Sequence, residues 1–186
     1  MKNLLKRYKG HLTTRNNFFY SLTRSIISQQ ISVSAADSVF LKFEKKCKGK
    51  IKPKTVSRLT ISDLRRCGLS RMKALGIKSL ANKILDKSFN PKLIKKMSDE
   101  DAISYLSSLR QIGRWSSEMV LIFFYNRQNI WPVQDIGLLR AISNNYKKKY
   151  LPPKSFVNKL RKRFSPYCTL AVMALWYSVD NEPVQY

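Results

Sequence analysis

The sequence predicts an all-α fold. Apolar residues recur at helical spacing in two neighbouring segments, and no pair of candidate strands is visible. The two apolar stripes comprise Phe18, Leu22 and Ile26, followed by Ala36, Val39, Phe40 and Phe43. With 186 residues, of which 44% are hydrophobic, the chain is long enough to bury a core between such helices.

The first helices are predicted in the following order. One helix spans about residues 14–28, and the polar segment 28–32 separates it from the second. Thr60 and Asp63 have the spacing of a capping box and begin a short helix. A longer helix follows at about residues 71–87. Its inward face is expected to hold Leu75, Leu80 and Ile84.

Residues 109–140 are predicted to form a helix end, a tight turn, a buried helix, a loop and the start of another helix. Gly113 can take the positive φ that a sharp turn needs, and Ser116 and Ser117 can cap the next helix through their hydroxyls. Such a helix start can bind a phosphate. Residues 119–125 are all apolar. We predict a helix there because ten or more residues follow the cap and no partner strand is visible.

The last third of the chain is also predicted to be helical. Pro132 prevents a helix from running through the loop, so Asp135 is placed to cap the helix that follows. Residues 144–164 carry a run of basic side chains, which forms either a solvated face or a face that follows DNA. Residues 168–176 are nearly all apolar and predict a core helix.

The charge of the chain indicates a polyanionic partner. Lys and Arg total 36 against 11 Asp and Glu, a formal net charge of +25, and the commonest polyanions are DNA and RNA. No apolar segment reaches the roughly 18 residues of a membrane span and no signal peptide is visible, so we expect no membrane contact. We expect a cytoplasmic (bacterial nucleoid) or nuclear protein that is not secreted. The three cysteines are widely spaced and form no zinc or iron–sulfur motif. His11 is the single histidine, which argues against Ser-His-Asp catalysis.

Four segments resemble the helix-hairpin-helix (HhH-GPD) superfamily of DNA glycosylases, and within it the 3-methyladenine DNA glycosylase II branch. The family hairpin LPGIGRWTA is similar to residues 109–117, LRQIGRWSS. The loop that holds the family's catalytic aspartate resembles residues 132–138, PVQDIGL. The family opening ILGQQVS resembles residues 26–32, IISQQIS, and the last core helix matches residues 175–177, LWY. The four matches occur in the family's order over most of the chain.

The resemblance implies a single glycosylase domain over residues 1–186. It implies two packed helical lobes with the active-site cleft between them. One lobe is built from the chain ends, about 1–30 and 145–186, and the central lobe from about 31–144. No cofactor is expected. No metal is required, although hairpin carbonyls in this family can hold a monovalent cation.

The resemblance also implies roles for individual residues. Asp135 is the expected catalytic residue. The expected base pocket comprises Trp115, Met119, Trp176 and Gln30. The expected DNA-binding residues are Gln29, Gln111, Ile112, Gly113, Arg114, Ser116 and Ser117, although Gln29 and Gln30 could equally form a plain loop. Gln111 replaces the first hairpin glycine of the family, which affects how tightly the turn closes. Trp115 stands where bifunctional members carry a lysine, so no lyase step is expected.

The expected reaction is hydrolysis of the N-glycosidic bond of an alkylated purine, such as 3-methyladenine or 7-methylguanine, in base excision repair. The damaged nucleotide must leave the duplex, which costs a few kcal/mol. Two alternatives remain open at this point: the same fold acting on uracil or another lesion, and a non-catalytic basic protein that binds nucleic acid. The expected partner is double-stranded DNA containing damaged bases. No obligate protein partner is evident, and we expect a monomer.

Overall fold

The structure, a computed structural model, describes residues 17–180 of the chain. Within this range it contains ten α-helices and one 3₁₀ helix and no strand, which confirms the all-α prediction. The α-helices are α1 (Phe18–Ser28), α2 (Val33–Lys46), α3 (Pro53–Ser57), α4 (Ile61–Arg66), α5 (Arg71–Leu85), α6 (Asp99–Ser107), α7 (Arg114–Phe123), α8 (Ile136–Tyr146), α9 (Lys154–Phe164) and α10 (Cys168–Asp180). The 3₁₀ helix (Pro91–Lys96) lies between α5 and α6. His11 and the predicted helix start at residue 14 lie outside the described residues.

The chain folds as two compact units. Among the described residues, the first unit comprises 17–120 and the second 121–180, so the division falls within α7. The lobe boundaries expected from the sequence, near residues 30 and 145, stay a prediction. Within the first unit α1 packs against α5, and within the second α8 packs against α10.

Helix α5 is the central helix of the first unit and packs against α1, α3 and α4. Leu22 and Ile26 of the first apolar stripe are fully buried, as is Phe43 of the second, whereas Val39 is half-buried. The helices therefore form with the predicted inward faces. Burying one such side chain contributes about 1.5–3 kcal/mol to the free energy of unfolding.

The inward face of α5 differs from the prediction. Leu80 is buried as predicted, but Leu75 and Ile84 are only half-buried. The small residues Ala74, Gly76 and Ala81 are buried. Ile77 is also buried, so the inward face is displaced from the predicted one: positions 74, 77 and 81 follow the i, i+3, i+7 spacing of one helical face. The helix also ends at Leu85, two residues earlier than predicted, with Asp86 as its C-cap.

Capping by side chains is seen at the start of α4. Thr60 and Asp63 form the predicted capping box at the start of α4. A lysine ammonium also reaches this box, because Lys46 Nζ lies 2.8 Å from Asp63 Oδ1. The hydrogen bonds from Lys46 and then from Thr60 hold the pKa of Asp63 well below its usual range.

Helix α10 is the core helix of the second unit and packs against α8 and α9. Val172, Leu175 and Trp176 of α10 are buried, which confirms the predicted core helix. Across residues 17–180, no helix has both the length and the apolar composition needed to cross a membrane.

Candidate functional site

The hairpin of the first unit is the turn between α6 and α7. The sequence predicts that Gly113 takes the positive φ of this turn, and this prediction is wrong. Gln111 takes it, with a φ of 68°, whereas Gly113 is not in the left-handed region. The chain reverses two residues before Gly113, which instead leads directly into α7. The left-handed conformation costs a non-glycine residue on the order of 1–2 kcal/mol.

Two neighbours hold Gln111 in this conformation. The backbone carbonyl of Gln111 accepts a hydrogen bond from Gln29 Nε2 at 2.8 Å. The side chain of Gln111 lies against Gly76 of α5. A Cβ atom placed on Gly76 would be 2.8 Å from Cγ and 2.9 Å from Cβ of Gln111. The side chain that replaces the family's glycine is therefore accommodated by a glycine on another helix.

The predicted caps of α7, Ser116 and Ser117, are also corrected by the structure. The helix begins at Arg114, so both serines lie within its first turn. Ser116 Oγ accepts a hydrogen bond from Gln29 Nε2 at 3.0 Å. Ser117 Oγ donates to the Gly113 carbonyl at 3.0 Å and lies 3.1 Å from Ser107 Oγ. Both side chains are buried and link the hairpin to its surroundings.

Arg114 is held by two carboxylates. Its Nη1 and Nη2 donate to Glu100 at 2.9 and 2.7 Å, and its Nε donates to Glu118 at 3.1 Å. Glu118 is 2% exposed, and a buried carboxylate needs such a partner. This pair was not predicted, although Arg114 and Glu118 have the i, i+4 spacing of a helical ion pair.

The two glutamines after α1 differ in exposure. Gln29 is half-buried, and its amide group is bonded to the hairpin as described above. Gln30 is exposed, with a left-handed φ of 59°. Lys73 of α5, which sequence reasoning also missed, donates from Nζ to the backbone carbonyls of Ile27 and Gln29.

A buried carboxylate begins α8 in the second unit. Asp135 is the N-cap of this helix, as predicted, and its Oδ1 accepts the Leu138 N–H at 2.6 Å. The indole Nε1 of Trp176 donates to the same oxygen at 2.8 Å. Asp135 is 7% exposed. Two donors and the positive end of the helix dipole therefore hold the carboxylate in a fixed orientation.

Close packing surrounds this carboxylate. The rings of Trp176 and Phe123 are stacked, with centroids 6.2 Å apart. A Cβ atom on Gly137 would lie 3.2 Å from Asp135 Oδ1 and 3.4 Å from Trp176 Nε1. Glycine at this position leaves room for the hydrogen bond between the two side chains.

The remaining candidate residues lie on or near α7. Trp115 is half-buried and Met119 is buried one helical turn later, so they share a face of the helix. The side chain of Ile112 is buried, whereas Gly113 is exposed. Among the described residues, no group of three or more His, Cys, Asp or Glu could hold a metal ion.

Comparisons with known proteins agree on one family. A model described as "HhH-GPD superfamily base excision DNA repair protein" matches residues 23–166. The "Alkylbase DNA glycosidase-like protein mag2" of Schizosaccharomyces pombe is 32% identical over 162 residues, covering 85% of this chain and 76% of that protein. The "DNA-3-methyladenine glycosylase 1" of the same organism is 29% identical, covering 85% and 71%.

Solved structures show the same similarity. The Schizosaccharomyces pombe 3-methyladenine DNA glycosylase in complex with abasic DNA has a TM-score of 0.84 and 26% identity, covering 100% of this chain and 93% of that one. A DNA-3-methyladenine glycosidase from Bacillus halodurans has a TM-score of 0.83 and 25% identity, covering 96% of this chain and 88% of that one.

Proposed function

This chain belongs to the HhH-GPD superfamily of base excision DNA repair proteins, and on that premise we propose that it is a DNA glycosylase for alkylated purines of the 3-methyladenine and 7-methylguanine type. The names of its relatives support the reaction class, and the complex of one related structure with abasic DNA supports DNA as the partner. The two units act together as one glycosylase domain over residues 1–186. Such an enzyme works in the compartment that holds the genome.

The proposed reaction replaces the bond between C1′ and the base nitrogen with a bond from C1′ to water. The electron pair of the breaking bond stays with the base. An N3- or N7-alkylated purine already carries a positive charge, so it leaves as a neutral molecule without a general acid. The sugar passes through an oxocarbenium-like state, and water adds its oxygen to C1′ while releasing a proton.

The orientation of Asp135 is the observation that carries this proposal. A carboxylate already fixed by Leu138 N–H and Trp176 Nε1 can stabilise the oxocarbenium charge without reorganising during the reaction. The same group can orient the attacking water. Capping and catalysis are compatible because the hydrogen bonds from Leu138 N–H and Trp176 Nε1 orient the carboxylate and leave its negative charge in place.

We assign the extruded base to Trp115, Met119, Trp176 and Gln30. Aromatic faces favour a cationic base over a neutral one by about 0.5–2 kcal/mol, and the exposed Gln30 is accessible to DNA. Trp115 in place of a lysine supports a glycosylase without a lyase step.

We assign DNA binding to the main chain of the hairpin more than to its side chains. Polar side-chain atoms near the hairpin are hydrogen-bonded to other protein groups in Gln29, Arg114, Ser116 and Ser117. The positive end of the α7 helix dipole favours a phosphate beside the exposed Gly113. The Leu109 carbonyl accepts a hydrogen bond from Ile112 N–H. The Gln111 carbonyl accepts one from Gln29 Nε2. No step of the proposed reaction uses a metal cation at these carbonyls.

The test is excision from DNA treated with a methylating agent, with the released bases identified by chromatography. Wild type should release 3-methyladenine or 7-methylguanine. Asp135→Asn retains a helix-capping group but should lower the release rate by at least about 100-fold, with duplex affinity preserved. Asp63→Asn is the control, because it removes a capping-box carboxylate from α4, and it should release bases at the wild-type rate.

Retained release in Asp135→Asn would overturn the role of this residue. If wild type released no methylated base, uracil, hypoxanthine and oxidised lesions would be tried next. Failure on that panel, with equal affinity for damaged and intact duplex, would instead identify a DNA-binding protein without catalysis.

A further inference from the structure

Lys73 binds the C-terminal end of α1. Its Nζ donates to the backbone carbonyl of Ile27 at 2.9 Å and to that of Gln29 at 2.6 Å. The last carbonyls of a helix have no partners within it, and a cation is favourable there. Burial lowers the pKa of the Lys73 ammonium. The side chain therefore occupies a structural position in the first unit, bonded to backbone groups of α1.

Gln29, whose backbone Lys73 holds, connects α1 to the hairpin. Its Nε2 donates to the Gln111 carbonyl and to Ser116 Oγ, which places one contact in the turn and one in the first turn of α7. A glutamine amide has two N–H donors, so these two bonds use its full donor capacity. The turn at Gln111 has a left-handed backbone, which persists only where the surroundings hold it.

Gly76 places α5 directly beside the same turn. It lies three residues after Lys73 and therefore on the same side of the helix. Its lack of a side chain accommodates Gln111, since an added Cβ would also lie 3.2 Å from the Arg110 carbonyl. One face of α5 thus contacts both the end of α1 and the hairpin turn.

We infer that Lys73 and Gln29 are positioning residues for DNA binding, acting in series. Lys73 fixes the carbonyls at the end of α1 and with them the backbone of Gln29. The side chain of Gln29 then holds the hairpin in position. The exposed backbone of the hairpin at Gly113 contacts the DNA phosphate. Lys73 acts in this arrangement through its two carbonyl bonds and not through a phosphate contact, which the salt dependence of binding tests. The inference rests on the proposed function only in taking the hairpin as the DNA-binding element.

The experiment measures dissociation constants for undamaged duplex and for duplex with a tetrahydrofuran abasic site. Lys73→Met keeps the apolar stem and removes the ammonium. Gln29→Glu keeps the shape and replaces both donors with a carboxylate. Each should raise the dissociation constant about tenfold, and Lys73→Arg should restore most of the affinity. Lys95→Met is the control, since it removes one positive charge from an exposed side chain of the 3₁₀ helix.

Three further readings distinguish positioning from direct contact. The double variant should bind as weakly as either single variant, because the residues act through one another. The dependence of affinity on salt should keep its wild-type slope, whereas loss of a phosphate contact would lower that slope by about 0.9. At saturating DNA, the single-turnover rate of base release in Lys73→Met should stay at the wild-type value.

Fully additive effects, a reduced salt slope, or a lower saturated rate with unchanged affinity would each overturn the inference. If the Gln29→Glu protein does not fold, Gln29→Ala takes its place, because alanine removes the two donors without adding a charge. Wild-type affinity in Gln29→Ala would also overturn the inference. The binding assays require no chemistry. A wild type that releases no base would therefore refute the proposed function while the affinities still decide the role of Lys73 and Gln29.

Discussion

Asp135 and Trp176 share one hydrogen bond on which the geometry of the candidate catalytic group depends. The resemblance assigned Trp176 to the base pocket. In the structure the edge of its indole holds Asp135 Oδ1 at 2.8 Å, and its face is stacked with Phe123. A hydrogen bond to an ionised group contributes about 1.5–3 kcal/mol, enough to decide where a carboxylate points.

At the residue scale, we predict that Trp176→Phe lowers the single-turnover rate of base release by about 10- to 100-fold. The phenyl ring fills much of the indole's space but cannot donate to Asp135, so the carboxylate loses a donor that orients it. Duplex affinity should stay within about threefold of wild type. The measurement is release of methylated bases at saturating enzyme.

Trp131→Phe is the matched control for this prediction. Trp131 is also buried in the second unit, and its Nε1 has no hydrogen-bond partner among the described residues. Its replacement removes a similar volume without removing such a bond. Equal losses of rate in both variants would show that packing, and not the hydrogen bond, explains the effect of Trp176.

Helix α5 positions the hairpin at the scale of whole elements. It packs against three helices of the first unit and contacts the turn through Gly76. The left-handed conformation of Gln111 depends on the absence of a side chain at Gly76. The Gln111 side chain fills the space that a Cβ on Gly76 would need.

We predict that Gly76→Ala lowers the free energy of unfolding by about 1–3 kcal/mol, since it overpacks the contact with Gln111. Gln111→Gly should raise it by about 1 kcal/mol, because glycine adopts a φ of 68° without strain. In the double variant Gly76→Ala and Gln111→Gly, most of the alanine's penalty should disappear. Urea denaturation of the four proteins measures the coupling, and strict additivity would mean that the two residues do not share this space.

Charge acts at the scale of the whole molecule. The net charge is +25, and Asp135 is the only acidic residue in the sequence between positions 121 and 179, which also contains ten Lys and Arg. The side chains that hold Asp135 are buried with it. Salt therefore screens the exposed lysines and arginines far more than the interactions of this carboxylate.

We predict that affinity for undamaged duplex falls steeply with salt, by about 10³- to 10⁵-fold between 50 and 200 mM if six to ten phosphates are contacted. The single-turnover rate of base release at saturating DNA should change by less than about threefold over the same range. Titrations and single-turnover assays at matched salt concentrations test both statements. A saturated rate that fell in parallel with affinity would contradict the separation of binding from chemistry.

The structure corrects the sequence predictions where they concern the hairpin turn. The motif correctly located the turn but assigned its positive φ to Gly113, because glycine is the residue that adopts this conformation most easily. Gln111 takes the conformation because Gln29 and Gly76, which are remote in sequence, support it. The serine caps of α7 were misplaced for a related reason, since a hydroxyl that caps a helix and one that bonds to a distant side chain look the same in sequence.

The all-α fold, the capping box of Thr60 and Asp63, the N-cap at Asp135 and the family could all be predicted from the sequence. The first three depend on helical periodicity and on hydrogen bonds between residues three positions apart, so neighbouring residues are sufficient to specify them, and the family follows from four short motifs. The hydrogen bond of Trp176 to Asp135, 41 positions apart, and that of Gln29 to Gln111, 82 positions apart, were found only in the folded protein. Those contacts form when separate helices pack together, and no local pattern of residues encodes which side chains will then meet.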